Sequence, residues 1–185
     1  MTRIIAGRAG SVTLAVPGAG TRPTSERVRE SLFGALEAAD LMTDAAVLDL
    51  YAGSGALGLE AVSRGAASAD LVERAPKAAG VADRNARAVA KSVSPARIRV
   101  HRASADAFLR SAVGTWDLVF LDPPYDLPDA DLATTLELLV PKLSADAVVV
   151  LERSSRSGEP PLPDLLQVDR SKKYGDTALW WASLR

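Results

Sequence analysis

Short apolar runs alternate with amphipathic stretches from Val47 to Leu151, and this alternation constrains the fold more than any other feature of the chain. The runs are Val47–Leu50, Leu71–Glu73, Ile98–His101, Leu118–Leu121 and Ala147–Leu151. Between them lie stretches with helical character: Leu57–Arg64, Pro76–Ala90, Asp106–Ser111 and Asp129–Leu139. Strands that alternate with helices form a parallel sheet with helices over both faces. The pattern then changes. After the Gly/Pro-rich segment Ser157–Pro163, Leu166–Tyr174 and Thr177–Ser183 face each other across Gly175-Asp176, which reads as a hairpin added to the sheet. The expected fold is therefore α/β and Rossmann-like, with seven strands, mostly parallel, and a C-terminal antiparallel pair.

The first 20 residues read differently, as a small β element. Arg3–Ala6 and Val12–Val16 are strand-like runs around Gly7 and Gly10, and Pro17–Gly20 breaks the chain. Thr24 or Ser25 then caps a helix reaching about Ala39, with Glu26 in its first turn and an apolar stripe of Val28, Leu32, Ala35, Leu36 and Ala39. The expected organisation is an N-terminal hairpin extension over 1–20 and one α/β domain over 21–185.

Composition removes whole classes of chemistry. The chain has no cysteine, which excludes disulfides, thiolate nucleophiles and thiolate metal sites, and its single histidine, His101, falls on an expected strand as a structural residue. No metal site is expected. No apolar stretch approaches the ~18 residues that span a membrane, and Met1–Gly7 lacks a signal-peptide core. The expectation is a cytoplasmic monomer. The formal net charge is −1, but residues 1–30 carry Arg3, Arg8, Arg22, Arg27 and Arg29 against only Glu26 and Glu30. Arg170, Lys172 and Lys173 form a second basic cluster. Such clusters suit a phosphate backbone, and they also occur on ordinary solvated faces.

Gly53-Ser54-Gly55-Ala56-Leu57-Gly58 follows the first strand and matches G-x-G-x-x-G, with Glu73 twenty residues after Gly53. Alone, this is the dinucleotide fingerprint. Asp49 argues otherwise. A pyrophosphate on the glycine amides would be repelled by a carboxylate at the end of that strand. S-adenosylmethionine has no phosphate and carries an α-ammonium and a sulfonium, which suit Asp49. Glu73 can accept both ribose hydroxyls of either cofactor. Asp106 is placed to accept from the adenine amine, although Ser104 or Asp106 would also serve simply as a helix cap. Asp49, Glu73, Asp106 and Asp122 fall at successive strand ends and would converge on one cleft.

Asp122-Pro123-Pro124-Tyr125 follows the run Trp116–Leu121. Proline cannot continue a strand ladder, so the loop leaves the sheet at its carboxyl edge, where open α/β sheets bind ligands. It offers a carboxylate, a proline carbonyl and a flat ring. That set fits a planar base carrying an exocyclic amine, with two acceptors for its N–H groups and one surface for stacking.

These residues together resemble class I S-adenosylmethionine-dependent methyltransferases that act on amines. More closely, the chain resembles the RsmD family of 16S ribosomal RNA guanine-N2 methyltransferases. The resemblance rests on Arg3–Gly7, on Arg22-Pro23-Thr24-Ser25-Glu26-Arg27-Val28-Arg29-Glu30-Ser31-Leu32-Phe33, on Leu48–Ala61 and on Asp122–Tyr125. The Arg-Pro-Thr stretch is the more family-specific part. The resemblance implies methyl transfer to the 2-amino group of a guanine in 16S rRNA, on an assembled or partly assembled small subunit.

The site expected from these readings has three parts. Asp122, Pro123 and Tyr125 hold the amine and stack on the base. Asp49, Ala52, Gly53, Gly55 and Leu57, with Glu73, Arg74, Ala105, Asp106 and Asp122, hold the cofactor. Arg3, Arg8, Arg22, Arg27, Arg29, Lys172 and Lys173 contact RNA. The alternatives are methylation of adenine N6 in DNA or of a protein glutamine, an RNA-binding assembly factor without catalysis, and a nicotinamide-dependent oxidoreductase. The absence of a sizeable target-recognition domain argues against a sequence-specific DNA enzyme, and Asp49 and the terminal hairpin argue against the oxidoreductase.

Overall fold

A computed structural model describes residues 1–18 and 24–185. The order is β1 (Thr2–Arg3), β2 (Thr13–Leu14), α1 (Glu26–Ala38), β3 (Ala46–Leu50), α2 (Ala56–Ser63), β4 (Ser68–Val72), α3 (Pro76–Val93) and β5 (Arg97–His101). Then follow α4 (Ala105–Ser111), β6 (Trp116–Leu121), α5 (Asp129–Leu139), a 3-10 turn (Val140–Lys142), β7 (Leu143–Ser154), β8 (Leu166–Tyr174) and β9 (Thr177–Leu184).

Seven strands form one sheet in the order β5-β4-β3-β6-β7-β9-β8. The first five are parallel, β9 runs antiparallel to β7, and β8 antiparallel to β9. The Rossmann-like fold and its C-terminal hairpin are thus as expected. Successive strand residues point to opposite faces, and the central strands are apolar on both. Val47, Leu118 and Phe120 pack with Leu32, Phe33, Leu59, Val62 and Val89 of α1, α2 and α3. Leu48, Leu50, Val119 and Leu121 pack with Leu109, Leu132, Leu136 and Leu139 of α4 and α5. Helices on both faces explain why these strands read as continuous apolar runs.

The chain passes outward from β3 to β4 and β5, then returns to β6 on the other side of β3. That reversal is a topological switch point, and the cleft outside the carboxyl ends of β3 and β6 is the natural ligand site. β3, β4 and β6 are in register, so Leu50 pairs with both Val72 and Leu121. The residues just beyond these strands therefore emerge at one level.

The N-terminal hairpin is shorter than its apolar runs suggest. Only Thr2–Arg3 and Thr13–Leu14 are strand, and they pair antiparallel. Ile4, Ala9 and Leu14 are buried in the same core as α1 and α2, and the Ile5 and Ala6 N–H groups both donate to Glu60 of α2. Burial against the domain, rather than extension of a ladder, accounts for those apolar residues. Helix α1 differs in detail from its expected stripe: Arg29 and Phe33 are buried, and Ala39 lies beyond the helix and is exposed.

Candidate active site

The glycine loop is built by Asp49 as much as by its glycines. Asp49 lies one residue inside the end of β3 and is 1 % exposed, and its Oδ2 accepts the Gly58 N–H at 2.9 Å. The approach requires glycine: a Cβ at Gly58 would meet Leu71 Cδ2 at 2.4 Å and Asp49 Cβ at 3.2 Å. Gly55 caps α2 with φ 82, the left-handed region that glycine enters without strain. Tyr51 also has a positive φ, 61, unusual for a bulky residue. Asp49 Oδ1 is buried without a hydrogen-bond partner among the described residues. Burial, with a smaller push from Glu73, raises the Asp49 carboxyl to about 7 despite the Gly58 hydrogen bond.

Glu73 follows β4 directly. Its Oε2 accepts the Gly53 N–H at 2.9 Å and its Oε1 the Ala75 N–H at 2.8 Å, so the carboxylate is fixed across the mouth of the glycine loop while staying half-buried. Ala52 is buried and ties the loop to β4 by donating to the Val72 carbonyl. Leu57 is half-buried in the first turn of α2, and Arg74 is exposed. After β5, Ser104 is the cap of α4, accepting from the Ala107 N–H. That settles the capping choice in favour of Ser104 and leaves Asp106, half-buried in the first turn beside buried Ala105, to accept from Thr135 Oγ1. Thr135 in turn meets the Tyr51 hydroxyl at 3.4 Å. Sequence reasoning did not single out Tyr51 or Thr135, which link β3, α4 and α5.

Asp122 leaves the end of β6, followed by buried Pro123 and exposed Pro124. Its Oδ2 lies 3.2 Å from Thr24 Oγ1, which also donates to Glu152 Oε2 at 2.7 Å. Glu152 is 6 % exposed on β7. Desolvation first, then the Glu152 charge, pushes the Asp122 carboxyl well above the usual carboxylate range; the Thr24 hydroxyl opposes this. The Tyr125 ring is 47 % exposed and anchored by its hydroxyl, 2.9 Å from Thr177 Oγ1 and 3.4 Å from Glu152 Oε1. The loop thus presents a fixed aromatic surface beside a carboxylate pair, half-buried Asp122 and buried Glu152. Glu152 was missed because it directly follows the apolar run Val148–Leu151, so its burial at a cleft has no local signal. Thr24 had one in the Arg-Pro-Thr stretch, but it read as a cap; Ser25 caps α1 instead.

The basic residues divide into two groups. Arg27, Lys172 and Lys173 are exposed and line an open groove of about 610 Å³ with Ser25, Ser31 and Tyr174. Tyr174 pairs in register with Thr177, so the groove borders the Tyr125 anchor. Arg8 is exposed, with its guanidinium on the Ser94 carbonyl, and Arg3 is held by Glu26 at 2.9 Å. Arg29 overturns the expectation of RNA contact. It is 1 % exposed, donates to Thr2 Oγ1 and the Arg3 carbonyl, and lies 3.9 Å from Glu60. A phosphate outside the protein cannot reach it. Arg22 lies outside the described residues. His101 is structural: its ring is 2.8 Å from Asp70 and packs at a tilt of 53° against Phe108. Among the described residues no cluster suited to a metal ion occurs, and no helix is long and apolar enough to cross a membrane.

The strand order, the carboxylates at the ends of β3, β4 and β6, and the Asp-Pro-Pro-Tyr loop define a class I, Rossmann-like methyltransferase fold. The chain belongs to the RsmD family within that class: the family model described as conserved hypothetical protein 95 matches residues 2–183. It is 36 % identical over 179 residues to the ribosomal RNA small subunit methyltransferase D of Escherichia coli K12, covering 95 % of this chain and 86 % of that protein. Among solved structures it resembles yhhF from Escherichia coli, with a TM-score of 0.85 and 34 % identity over 99 % of this chain and 97 % of that one. It also resembles the Thermus protein TTHA0928, with a TM-score of 0.82 and 31 % identity over the whole of both chains.

Proposed function

We propose that this protein transfers a methyl group from S-adenosylmethionine to the exocyclic N2 amine of a guanine in the 16S RNA of the small ribosomal subunit. The observation that carries the reading is the pairing of a cation-ready pocket with an amine-ready loop at one sheet edge. Asp49 Oδ1, buried and without a hydrogen-bond partner among the described residues, is an acceptor that an α-ammonium would satisfy. Glu73, fixed by Gly53 and Ala75, presents its half-buried carboxylate for ribose hydroxyls. Ala52, Gly53, Gly55 and Leu57 would line the same pocket, with Arg74 at its rim. Ala105 and Asp106 would meet the adenine. Family membership and the Escherichia coli relative's name support ribosomal RNA as the substrate.

S-adenosylmethionine supplies the electrophilic methyl group. The chain's own residues prepare the nucleophile. Guanine N2 is weak because its lone pair is delocalised into the ring. Asp122 and the Pro123 carbonyl would accept its two N–H groups and favour a pyramidal nitrogen, and Asp122 would take the proton that the product sheds. Tyr125 would stack on the extruded base. Stacking contributes about 1–3 kcal/mol and flipping costs a few kcal/mol, so the anchored ring helps decide whether the base stays out. Arg27, Lys172 and Lys173 would carry backbone phosphates along the groove beside Tyr174, with Arg8 and Arg3 further along the same end of the chain. The protein would act as a monomer in the cytoplasm. Labelled methyl transfer to unmodified small subunits, with free 16S RNA and DNA alongside, tests the reading; transfer to DNA alone would refute it.

A further inference from the structure

We propose that Glu152 is a positioning and proton-sharing partner of Asp122, coupled to it through the single hydroxyl of Thr24, and that the pair accepts the proton lost by the methylated amine. The inference rests on the methyl-transfer reading above.

The geometry raises a counting problem. Thr24 Oγ1 lies 2.7 Å from Glu152 Oε2 and 3.2 Å from Asp122 Oδ2. A hydroxyl has one hydrogen and two lone pairs. It can donate to only one of these oxygens. The shorter contact makes Glu152 the acceptor of that hydrogen. The contact with Asp122 is then satisfied when Asp122 carries a proton and donates to Thr24. Two carboxylates bridged in this way disfavour a double negative charge, as like charges sharing a site do. Other described groups around the pair act in both directions. Asp49, from β3, adds negative potential at Asp122. The Tyr125 hydroxyl, from the loop, donates toward Glu152 Oε1 at 3.4 Å, and Thr177 of β9 holds that hydroxyl at 2.9 Å. Arg153, the next residue along β7, directs its guanidinium to Asp129 and the Glu159 carbonyl.

The arrangement has a use in the reaction. The amine lone pair forms the new N–C bond as the C–S bond of the sulfonium breaks and its electron pair stays on sulfur. The nitrogen then holds a surplus proton and the sulfur has lost its positive charge. As the sulfonium and the amine are seated, the nearby positive charge favours loss of the Asp122 proton to solvent; the ionised carboxylate then takes the surplus amine proton as the N–H bond breaks. The protonated Asp122 can donate to Thr24 Oγ1 while the Thr24 hydrogen moves toward Glu152. The positive charge lost from sulfur is matched by the negative charge lost from the carboxylate pair. Glu152 thus sets the proton affinity of Asp122 without touching the substrate, and through Tyr125 it also holds the stacking surface.

The test uses Glu152→Gln, which keeps shape and hydrogen bonding but removes the second charge, and Thr24→Val, which removes the bridge. Thr24→Ser is the conservative control. Two readouts are compared with wild type. The first is the pH profile of single-turnover methyl transfer to unmodified small subunits. The second is the titration of the Asp122 carboxyl by 13C NMR in the free protein. In Glu152→Gln the Asp122 midpoint and the acid limb of the rate profile both move to lower pH, because the like charge is gone. The plateau rate falls about 10- to 100-fold, at or below the low end of general acid–base effects, as fits a residue that acts through another. Thr24→Val lowers the rate similarly, and Thr24→Ser restores it. An unshifted Asp122 midpoint in Glu152→Gln overturns the inference, as does a loss of rate equal at every pH. Wild-type activity with an unaffected Glu152→Gln overturns this inference alone. A wild-type protein that transfers no methyl group overturns the methyl-transfer reading with it. Should Glu152→Gln not fold, Thr24→Val decides: a wild-type rate and Asp122 midpoint in that variant overturn the inference.

Discussion

The Gly58 N–H reaches Asp49 Oδ2 across 2.9 Å, joining the first strand of the sheet to the first turn of the helix after the glycine loop. This contact explains both the third glycine of the motif and the carboxylate before it. Any side chain at position 58 would enter space held by Leu71 and Asp49. Gly58→Ala should therefore destabilise the fold by about 1–3 kcal/mol through overpacking. It should also weaken S-adenosylhomocysteine binding by displacing Asp49. Thermal unfolding and calorimetric titration of the variant measure both effects.

Asp49 carries a pH dependence of defined sign. Its carboxyl is raised to about 7 by burial, so the free folded protein holds a proton that the unfolded chain has already released at the same pH. This group's contribution to stability consequently rises as pH falls from about 7 toward the ordinary carboxylate value. Ligand binding runs the other way, because an ammonium needs the ionised form. The affinity for S-adenosylhomocysteine should drop about tenfold between pH 8 and pH 6. Asp49→Asn should bind more weakly and lose most of that dependence. A wild-type affinity that is flat across this range would remove Asp49 from the cofactor site.

Asp122 and Glu73 should separate chemistry from binding. Asp122→Ala should keep S-adenosylhomocysteine affinity within a few-fold and lower methyl transfer by about a hundredfold or more. Glu73→Ala should weaken the cofactor first, since it removes both the carboxylate and the acceptor for the Gly53 N–H. Equilibrium binding and single-turnover rates on the same preparations distinguish the two.

Arg27 and Arg29 are two residues apart with opposite fates. Arg27→Ala should leave thermal stability unchanged and reduce the salt dependence of RNA binding by about one unit of slope. Arg29→Ala should cost about 3 kcal/mol of stability, because it empties a buried guanidinium site against Glu60. Glu60 keeps Arg64 at 2.9 Å, which holds the loss at the lower end for such a pair. Chemical denaturation and filter binding over a salt series read the two effects independently.

These contrasts show which features local sequence carries. The alternation from Val47 to Leu151 gives the sheet because burial on both faces leaves a signature within each strand. The Asp122–Tyr125 loop and the glycine loop are likewise local, so their place at the sheet edge follows from the strands before them. Arg29 is different. Its charge looks like a surface feature until Glu60, thirty-one residues later, folds against it. Glu152 and Thr24 are distant from Asp122 in sequence and meet it only when β7 and the start of α1 arrive at the end of β6. The N-terminal hairpin was overextended for a related reason: Ile4 and Leu14 are apolar to fill the core beside α1, not to continue a ladder.

Methyl transfer to guanine N2 is read most directly from the nucleoside product. Unmodified small ribosomal subunits are incubated with the protein and labelled S-adenosylmethionine, and the RNA is digested to nucleosides. Wild type should place label in N2-methylguanosine, and Asp122→Ala should place almost none there. Label in another methylated nucleoside, or wild-type labelling by Asp122→Ala, would refute guanine N2 methylation through Asp122.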